Sequence, residues 1–256
     1  MKYFVSGDIH GFYDEWIKAL EEKQFNIDDE SHKIIVCGDL LDRGPKPKET
    51  IEFVLKLLKL GKIILVRGNH EDLALDLIEN YVHYMFRITS THHYFNGTFQ
   101  TMLDLTGMSF YDATSCLMAF KKYARETDFV SKVIPKMKNY YETENYVFVH
   151  SWLPLKKDGT LNKNWRKASN LDWSKARWAK PVQLYAKKLY LEDKTIVLGH
   201  WHCSDFWRYA YPEKYSAFGG NECFEPFITK EIIALDACTA YTKKVNVVVI
   251  EDNPKN

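Results

Sequence analysis

Ile34-Ile35-Val36-Cys37-Gly38-Asp39-Leu40-Leu41-Asp42-Arg43-Gly44 is the stretch on which the fold turns. Its first four residues are apolar, three of them β-branched, as suits a strand covered on both faces. A Gly-Asp step ends the run, and a polar tail follows at the strand's C-terminal end. The same pattern recurs on either side. Tyr3–Ser6 runs into Gly7-Asp8-Ile9-His10-Gly11, and Ile63–Val66 runs through Arg67 into Gly68-Asn69-His70-Glu71. Tyr146–Val149 delivers His150, and Thr195–Leu198 delivers Gly199-His200-Trp201-His202. Between the first three strands lie helical patterns over about 12–23, with Trp16 and Leu20 on one face, and about 48–60, with Ile51, Val54, Leu55 and Leu58. Pro45 and Pro47 precede the second helix, where proline is tolerated. Strand, helix, strand, helix, strand predicts a βαβαβ start and an α/β layered fold.

Working outward, residues from about 71 to 140 are aromatic and helical and read as an insertion within one catalytic domain spanning 1–256. Its aromatic residues are expected mainly in the core, with Tyr84 or Tyr94 available to stack on a base. A Lys- and Trp-rich loop with a short helix is expected over 153–180. Ile232–Leu235 and Val245–Ile250 read as a closing hairpin. His32, His83, His92 and His93 fall outside the strand-end pattern and are assigned to surface or insertion packing. With 46% hydrophobic residues the chain has material for a large core, which excludes disorder. Lys+Arg 35 against Asp+Glu 34 leaves +1, so no bulk field holds a long nucleic acid. Five cysteines without a CxxC fit neither a disulfide scaffold nor a zinc ribbon, and point to reduced thiols in a cytoplasm. No segment reads as a signal peptide or a membrane span, so no membrane partner is expected.

In an open α/β sheet the loops beyond the strands' carboxyl ends converge on one crevice. Carboxylates, imidazoles and an amide oxygen, with no thiolate, describe a site for Mn, Fe, Zn or a related divalent ion. Two Asp and four or five His exceed the needs of one tetrahedral ion. A pair of ions sharing one carboxylate uses them up, and two metals about 3.5–4 Å apart clamp both the attacking and leaving oxygens of a phosphoryl displacement. Each signal alone is weak: a Gly-Asp step is an ordinary turn, and Gly-Asn an ordinary left-handed position.

Gly-Asp-x-His-Gly, Gly-Asp-x-x-Asp-Arg-Gly and Gly-Asn-His-Glu in that order resemble the metal-dependent phosphoprotein phosphatases of the calcineurin-like superfamily. The resemblance extends to their bacterial and phage lambda type relatives and the symmetrical diadenosine tetraphosphatases, and runs from Gly7 to about Thr239. It implies a four-layer α/β/β/α sandwich with a helical insertion and the site at one edge of two central sheets. It also implies two divalent ions, Mn foremost and Fe, Zn or Ni as alternatives. Asp8 and His10 would bind the first ion, Asp39 would bridge, and Asn69, His150 and His200 would bind the second. A hydroxide shared by the metals would attack phosphorus, so no protein nucleophile is needed. His70 would protonate the leaving group and Asp42 would support its charged form, with a salt bridge to Arg43 as the alternative for Asp42. Arg43 offers a fork of donors to phosphate, or is structural; Arg67 reads as a structural ion pair. The family's second phosphate-binding arginine matches Arg177, with Lys175 as competitor.

Two departures stand out. Ser151-Trp152 follows His150 where relatives carry small residues, and Trp152 is expected to narrow the leaving-group side. Gly199-His200-Trp201-His202 keeps a second histidine that binds the first ion in the wider superfamily, so His202 is an additional candidate ligand, or a rim residue. Asn96-Gly97-Thr98 with Thr101 resembles a segment that shapes the substrate mouth in bacterial relatives, or is a plain turn. Leu235-Asp236-Ala237-Cys238 resembles the segment closing these folds and reads as structural. The implied activity is hydrolysis of a phosphomonoester, first as a protein Ser/Thr phosphatase. The alternatives are symmetrical cleavage of diadenosine tetraphosphate to two ADP, a nuclease, or a non-catalytic metal-binding scaffold. A phosphorylated protein or a small nucleotide is the expected substrate, and the oligomeric state is left open.

Overall fold

The computed structural model describes residues 1–254. Among the described residues nine strands form two sheets: β1 (Lys2–Ser6), β2 (His32–Cys37), β3 (Ile63–Val66), β4 (Tyr141–Glu142), β5 (Tyr146–Phe148), β6 (Thr195–Leu198), β7 (Phe227–Ile228), β8 (Ile232–Ala234) and β9 (Val247–Glu251). The first sheet has the order β3-β2-β1-β9 and the second β4-β5-β6-β8-β7. Strands β1, β2 and β3 are parallel, with β9 antiparallel at the edge beside β1. Strands β5, β6 and β8 are likewise parallel, with antiparallel β4 and β7 as edges.

Period-two alternation assigns each side chain to a layer. Tyr3, Val5, Ile35, Cys37 and Val66 from the first sheet meet Phe148, Val197, Ile233 and Leu235 from the second, forming a dry seam between the sheets. The alternate residues Phe4, Ile34 and Val36 face outward onto α1 (Tyr13–Glu22) and α2 (Pro47–Lys59), where Trp16, Leu20, Ile51, Val54 and Leu57 are buried. On the other side Val147, Ile196, Leu198, Ile232 and Ala234 pack with Trp152, Trp165, Trp173 and Phe206. The layers are therefore α/β/β/α.

A long helix, α3 (Asn69–Tyr84), leads into short helices that continue to Lys136. Leu77 and Tyr81 of α3, with Phe99, Met102 and Phe120 of the later helices, join the same apolar cluster as the outer face of the first sheet. The expectation that the insertion's aromatics are mainly core fails for Phe86, Phe95 and Tyr111, which are 75–90% exposed. The closing hairpin is not formed either. β8 belongs to the second sheet and β9 to the first, since the alternation fixes that a run is a strand but not which neighbour pairs with it. His32 is also not a surface residue: it opens β2, buried against Phe4. Among the described residues no helix is long and apolar enough to cross a membrane.

Candidate metal centre

All six parallel strands end at the same edge. The loops after β1, β2 and β3 bring Asp8 and His10, then Asp39, Asp42 and Arg43, then Asn69 and His70; those after β5, β6 and β8 bring His150, His200 and Asp236. The chain turns sharply there. Asp8, His10, Asp39, Asp42, Arg43 and His200 all have φ between 42° and 79°, each costing about 1–3 kcal/mol for a residue with a side chain. Hydrogen bonds over-determine these turns. His10 N–H donates to Asp39 O at 2.9 Å and Gly11 N–H to Leu40 O at 2.7 Å. His200 N–H donates to Asp8 Oδ2 at 2.7 Å, and Thr239 Oγ1 donates to Asp8 O at 2.8 Å.

Glu71, not singled out as a site residue by its sequence, locks two of these loops together. Its buried carboxylate accepts from Gly68 N–H at 2.6 Å, Leu40 N–H at 3.0 Å and Asp39 N–H at 3.2 Å. Burial, then the charge of Asp39, pushes its pKa up to about 7 against those three donors. The Glu of Gly-Asn-His-Glu was visible; that it caps α3 and the neighbouring loop at once was not.

The side chains then converge with their lone pairs. The Nδ1 of His150 lies 2.8 Å from the Cys37 carbonyl, which accepts only from an N–H, so Nε2 carries the lone pair. That Nε2 is 2.7 Å from Asn69 Oδ1, 3.1 Å from His200 Nδ1 and 3.5 Å from Asp39 Oδ1. His10 is oriented in the same way, with Nδ1 2.9 Å from Leu41 O and Nε2 3.9 Å from Asp39 Oδ2. Burial, and for His200 the adjacent His150 as well, drops the pKa of His150 and His200 to about 3. Burial followed by His70 holds His10 well below its ordinary value. These imidazoles are therefore neutral at pH 7, as candidate metal ligands need to be.

The acidic side has the complementary defect. Asp8 Oδ1 is buried without a hydrogen-bond partner, and burial, then Asp236 and Asp39, raise the Asp8 pKa well above the usual range. Asp236, read from sequence as structural, repels the Asp8 charge, and its own pKa is raised, by burial first. A Cβ on Gly199 would lie 2.2 Å from Asp8 Oδ1, so only glycine leaves room for that carboxylate. Crowded carboxylates, an orphan oxygen and inward-facing lone pairs on neutral imidazoles are what divalent cations satisfy. Asp39 belongs to two candidate ligand groups, with His10 and His70 on one side and His150 and His200 on the other. The residues present fit two ions.

His70 and Asp42 are in close contact at the edge, Nδ1 to Oδ2 at 2.6 Å. The same Asp42 oxygen accepts from Thr98 Oγ1 at 2.7 Å. Burial disfavours the charged imidazole, but Asp39, the Asp42 hydrogen bond and the Asp42 charge outweigh it and raise the His70 pKa. Arg43 does not pair with Asp42. Its Nη1 donates to His10 Nε2 at 3.0 Å, and its Nη2 lies 3.2 Å from His70 Nε2 and 3.1 Å from Asn96 Oδ1. Asn96-Gly97-Thr98 is thus docked onto the site through Asn96 and Thr98.

Arg177 is buried with its guanidinium engaged elsewhere. Nε and Nη2 donate to Asp72 at 2.7 and 3.1 Å, and Nη1 donates to Asn139 at 3.0 Å. Arg67 shares Asp72 at 2.7 Å, so the ion pair read for Arg67 takes Arg177 too, in place of the free phosphate fork expected of it. Lys175 is exposed. His202 lies outside both ligand groups, 4.0 Å from Asp236 Oδ2, with its ring near Trp201 and Phe218. Trp152 does not narrow the site: it is buried in the outer core of the second sheet and donates Nε1–H to Leu189 O at 3.1 Å. The small-to-large change after His150 is absorbed by packing.

The family model of calcineurin-like phosphoesterases matches residues 1–231, and the chain belongs to that family. Over 76 residues it is 38% identical to the asymmetrical bis(5'-nucleosyl)-tetraphosphatase PrpE of Bacillus velezensis, covering 27% of this chain and 30% of that protein. Over 83 residues it is 41% identical to the symmetrical bis(5'-nucleosyl)-tetraphosphatase of Psychromonas ingrahamii, covering 32% and 28%. Over 73 residues it is 41% identical to serine/threonine-protein phosphatase 1 of Salmonella typhimurium, covering 28% and 31%. Each match spans about three tenths of the relative's length. A cold-active protein tyrosine phosphatase shares the fold, with a TM-score of 0.58 at 16% identity over 98% of this chain and 73% of that one.

Proposed function

We propose that the chain is a two-metal hydrolase of a phosphoanhydride, with a bis(5'-nucleosyl) tetraphosphate as substrate and symmetrical cleavage to two nucleoside diphosphates. Asp8, His10 and Asp39 hold one ion and Asp39, Asn69, His150 and His200 the other. When bound, the ions supply Lewis acidity and an activated water. Arg43 orients the phosphate through its fork of donors, held in place by Asn96. His70, whose pKa Asp39 and Asp42 raise, donates Nε2–H to the departing oxygen.

The observation that favours a nucleotide is Trp178. Its ring is half-exposed and stands at 85° to that of His200 with centroids 6.2 Å apart, which puts an aromatic surface within reach of a base beside the phosphate site. Two of the three relatives above carry the tetraphosphatase name. A phosphoserine or phosphothreonine protein, placed first by the sequence, is the second reading, favoured by the Salmonella relative's name.

The test is to strip the protein of metal, restore Mn, and follow diadenosine tetraphosphate, a phosphopeptide and p-nitrophenyl phosphate in parallel. ADP as sole nucleotide product, with the highest kcat/KM of the three, is the expected result; equimolar AMP and ATP would replace symmetrical by asymmetrical cleavage. Trp178→Ala should raise KM for the dinucleotide about ten- to hundredfold, and far less for p-nitrophenyl phosphate. Silence on all three substrates would sink the enzymatic reading.

A further inference from the structure

We propose that the helical insertion carries a separate third metal site, a two-histidine, one-carboxylate set made by Asp76, His92 and His93 for zinc or a zinc-like divalent cation. Asp76 lies on α3 and the histidines on the single helical turn His92–Phe95, none of them part of the catalytic edge. One ligand atom from each lies within 4.8 Å of the others. His93 Nε2 is 3.0 Å and His92 Nε2 3.9 Å from the same oxygen, Asp76 Oδ2. Tetrahedral zinc with bonds of about 2.0–2.1 Å places its ligand atoms about 3.3–3.4 Å apart, so these two separations straddle the required value.

The carboxylate is already oriented by neighbours that are not ligands. Asn80 Nδ2 donates to Oδ1 at 2.7 Å and the Tyr84 hydroxyl to Oδ2 at 3.0 Å, the outer support that metal-binding carboxylates need. His93 is fully buried, so its ring is held in place against Asp76 by packing. His92 is half-exposed and leaves a path for the ion and a water in the fourth position.

One feature limits the affinity. His93 Nδ1 is buried without a partner, so coordination through Nε2 leaves an unsatisfied Nδ1–H. That weakens binding about ten- to hundredfold, and the site fills after the catalytic pair. Occupancy has a structural route to the active edge. The carbonyl of His92 accepts from Asn96 Nδ2 at 2.9 Å, and Asn96 Oδ1 accepts from Arg43. An ion clamping the His92–His93 turn to α3 thereby braces the residue that holds the phosphate arginine.

The experiment is zinc titration of the metal-stripped full chain by calorimetry, with metal analysis after dialysis, on the wild type, His92→Ala and Asp76→Asn. The wild type should hold one zinc equivalent more than either variant. In a parallel cobalt titration, the tetrahedral absorption of that extra equivalent should be missing from both variants. Equal stoichiometry in all three proteins, each confirmed folded by circular dichroism, would overturn the proposal. The readout counts ions, not turnover, so it stands or falls independently of the substrate reading.

Discussion

His70 and Asp42 make a testable pair because the forces on the imidazole have opposite signs. Burial favours the neutral ring, while Asp39 and Asp42 hold the proton and win. An acid catalyst with a raised pKa stays competent to higher pH, so activity should fall only as pH rises through that value. Asp42→Asn removes the Asp42 charge and weakens the hydrogen bond, and should move the alkaline limb of kcat/KM to lower pH, which a pH profile on one substrate measures. His70→Asn should lower kcat about 10²–10⁴-fold for a phosphopeptide or dinucleotide. The loss should be much smaller with p-nitrophenyl phosphate, whose leaving group needs no proton. Equal losses on both would remove the general-acid role from His70. Thr98→Val, which strips the second hydrogen bond from Asp42 Oδ2, should have a milder effect of the same sign, about 1 kcal/mol in transition-state free energy.

At the level of elements, the decisive devices are the strand-to-loop turns. Gly38 has φ +92°, and a Cβ there would stand 2.5 Å from His150 Nδ1 and 2.7 Å from Gly68 Cα. Gly38→Ala should therefore displace His150 and cost a metal equivalent, read by metal analysis, while far-UV circular dichroism stays native. These turns were also the most legible part of the sequence. A β-rich run followed by Gly-Asp or Gly-Asn names both the end of a strand and the residue it delivers, so β1, β2, β3, β5 and β6 and the side chains of both ligand groups could be read directly. What was not legible depends on contacts between distant segments. Asp236 looks like any residue after a short strand until β8 is placed beside β6, which sets it against Asp8. Glu71 is in sequence only the last residue of Gly-Asn-His-Glu, and only the parallel pairing of β2 with β3 brings it under Asp39. Arg177 matched a motif, but its partner Asp72 is over one hundred residues away, so its neutralisation left no local trace.

For the molecule as a whole, bound metal is a term in the folding free energy. At a free metal concentration one hundred times Kd, a single site adds about 2.7 kcal/mol, and for a chain of this size each kcal/mol is about 2–4 °C in Tm. Chelation should therefore lower Tm by about 5–10 °C per ion, with the loss restored by Mn in a thermal melt. The seam between the sheets is a second lever. Phe148→Ala should cost about 3–5 kcal/mol in a denaturant titration, because the fully buried ring sits between both sheets. The seam was only partly legible from the residues themselves, since the unbroken apolar runs of β1 and β2 predict two covered faces without saying what covers them; the second sheet came only with the family resemblance.

The two sheets also divide the candidate ligands between them: Asp8, His10, Asp39 and Asn69 hang from one, His150 and His200 from the other. Across the gap, the Cys37 carbonyl takes His150 Nδ1 and Asp8 takes the His200 amide. The centre thus works as a gauge of alignment between two slabs. A slip of one strand residue, about 3.3 Å, would pull the halves apart. Metal affinity should consequently track how well the slabs are seated, even for substitutions that never touch a ligand.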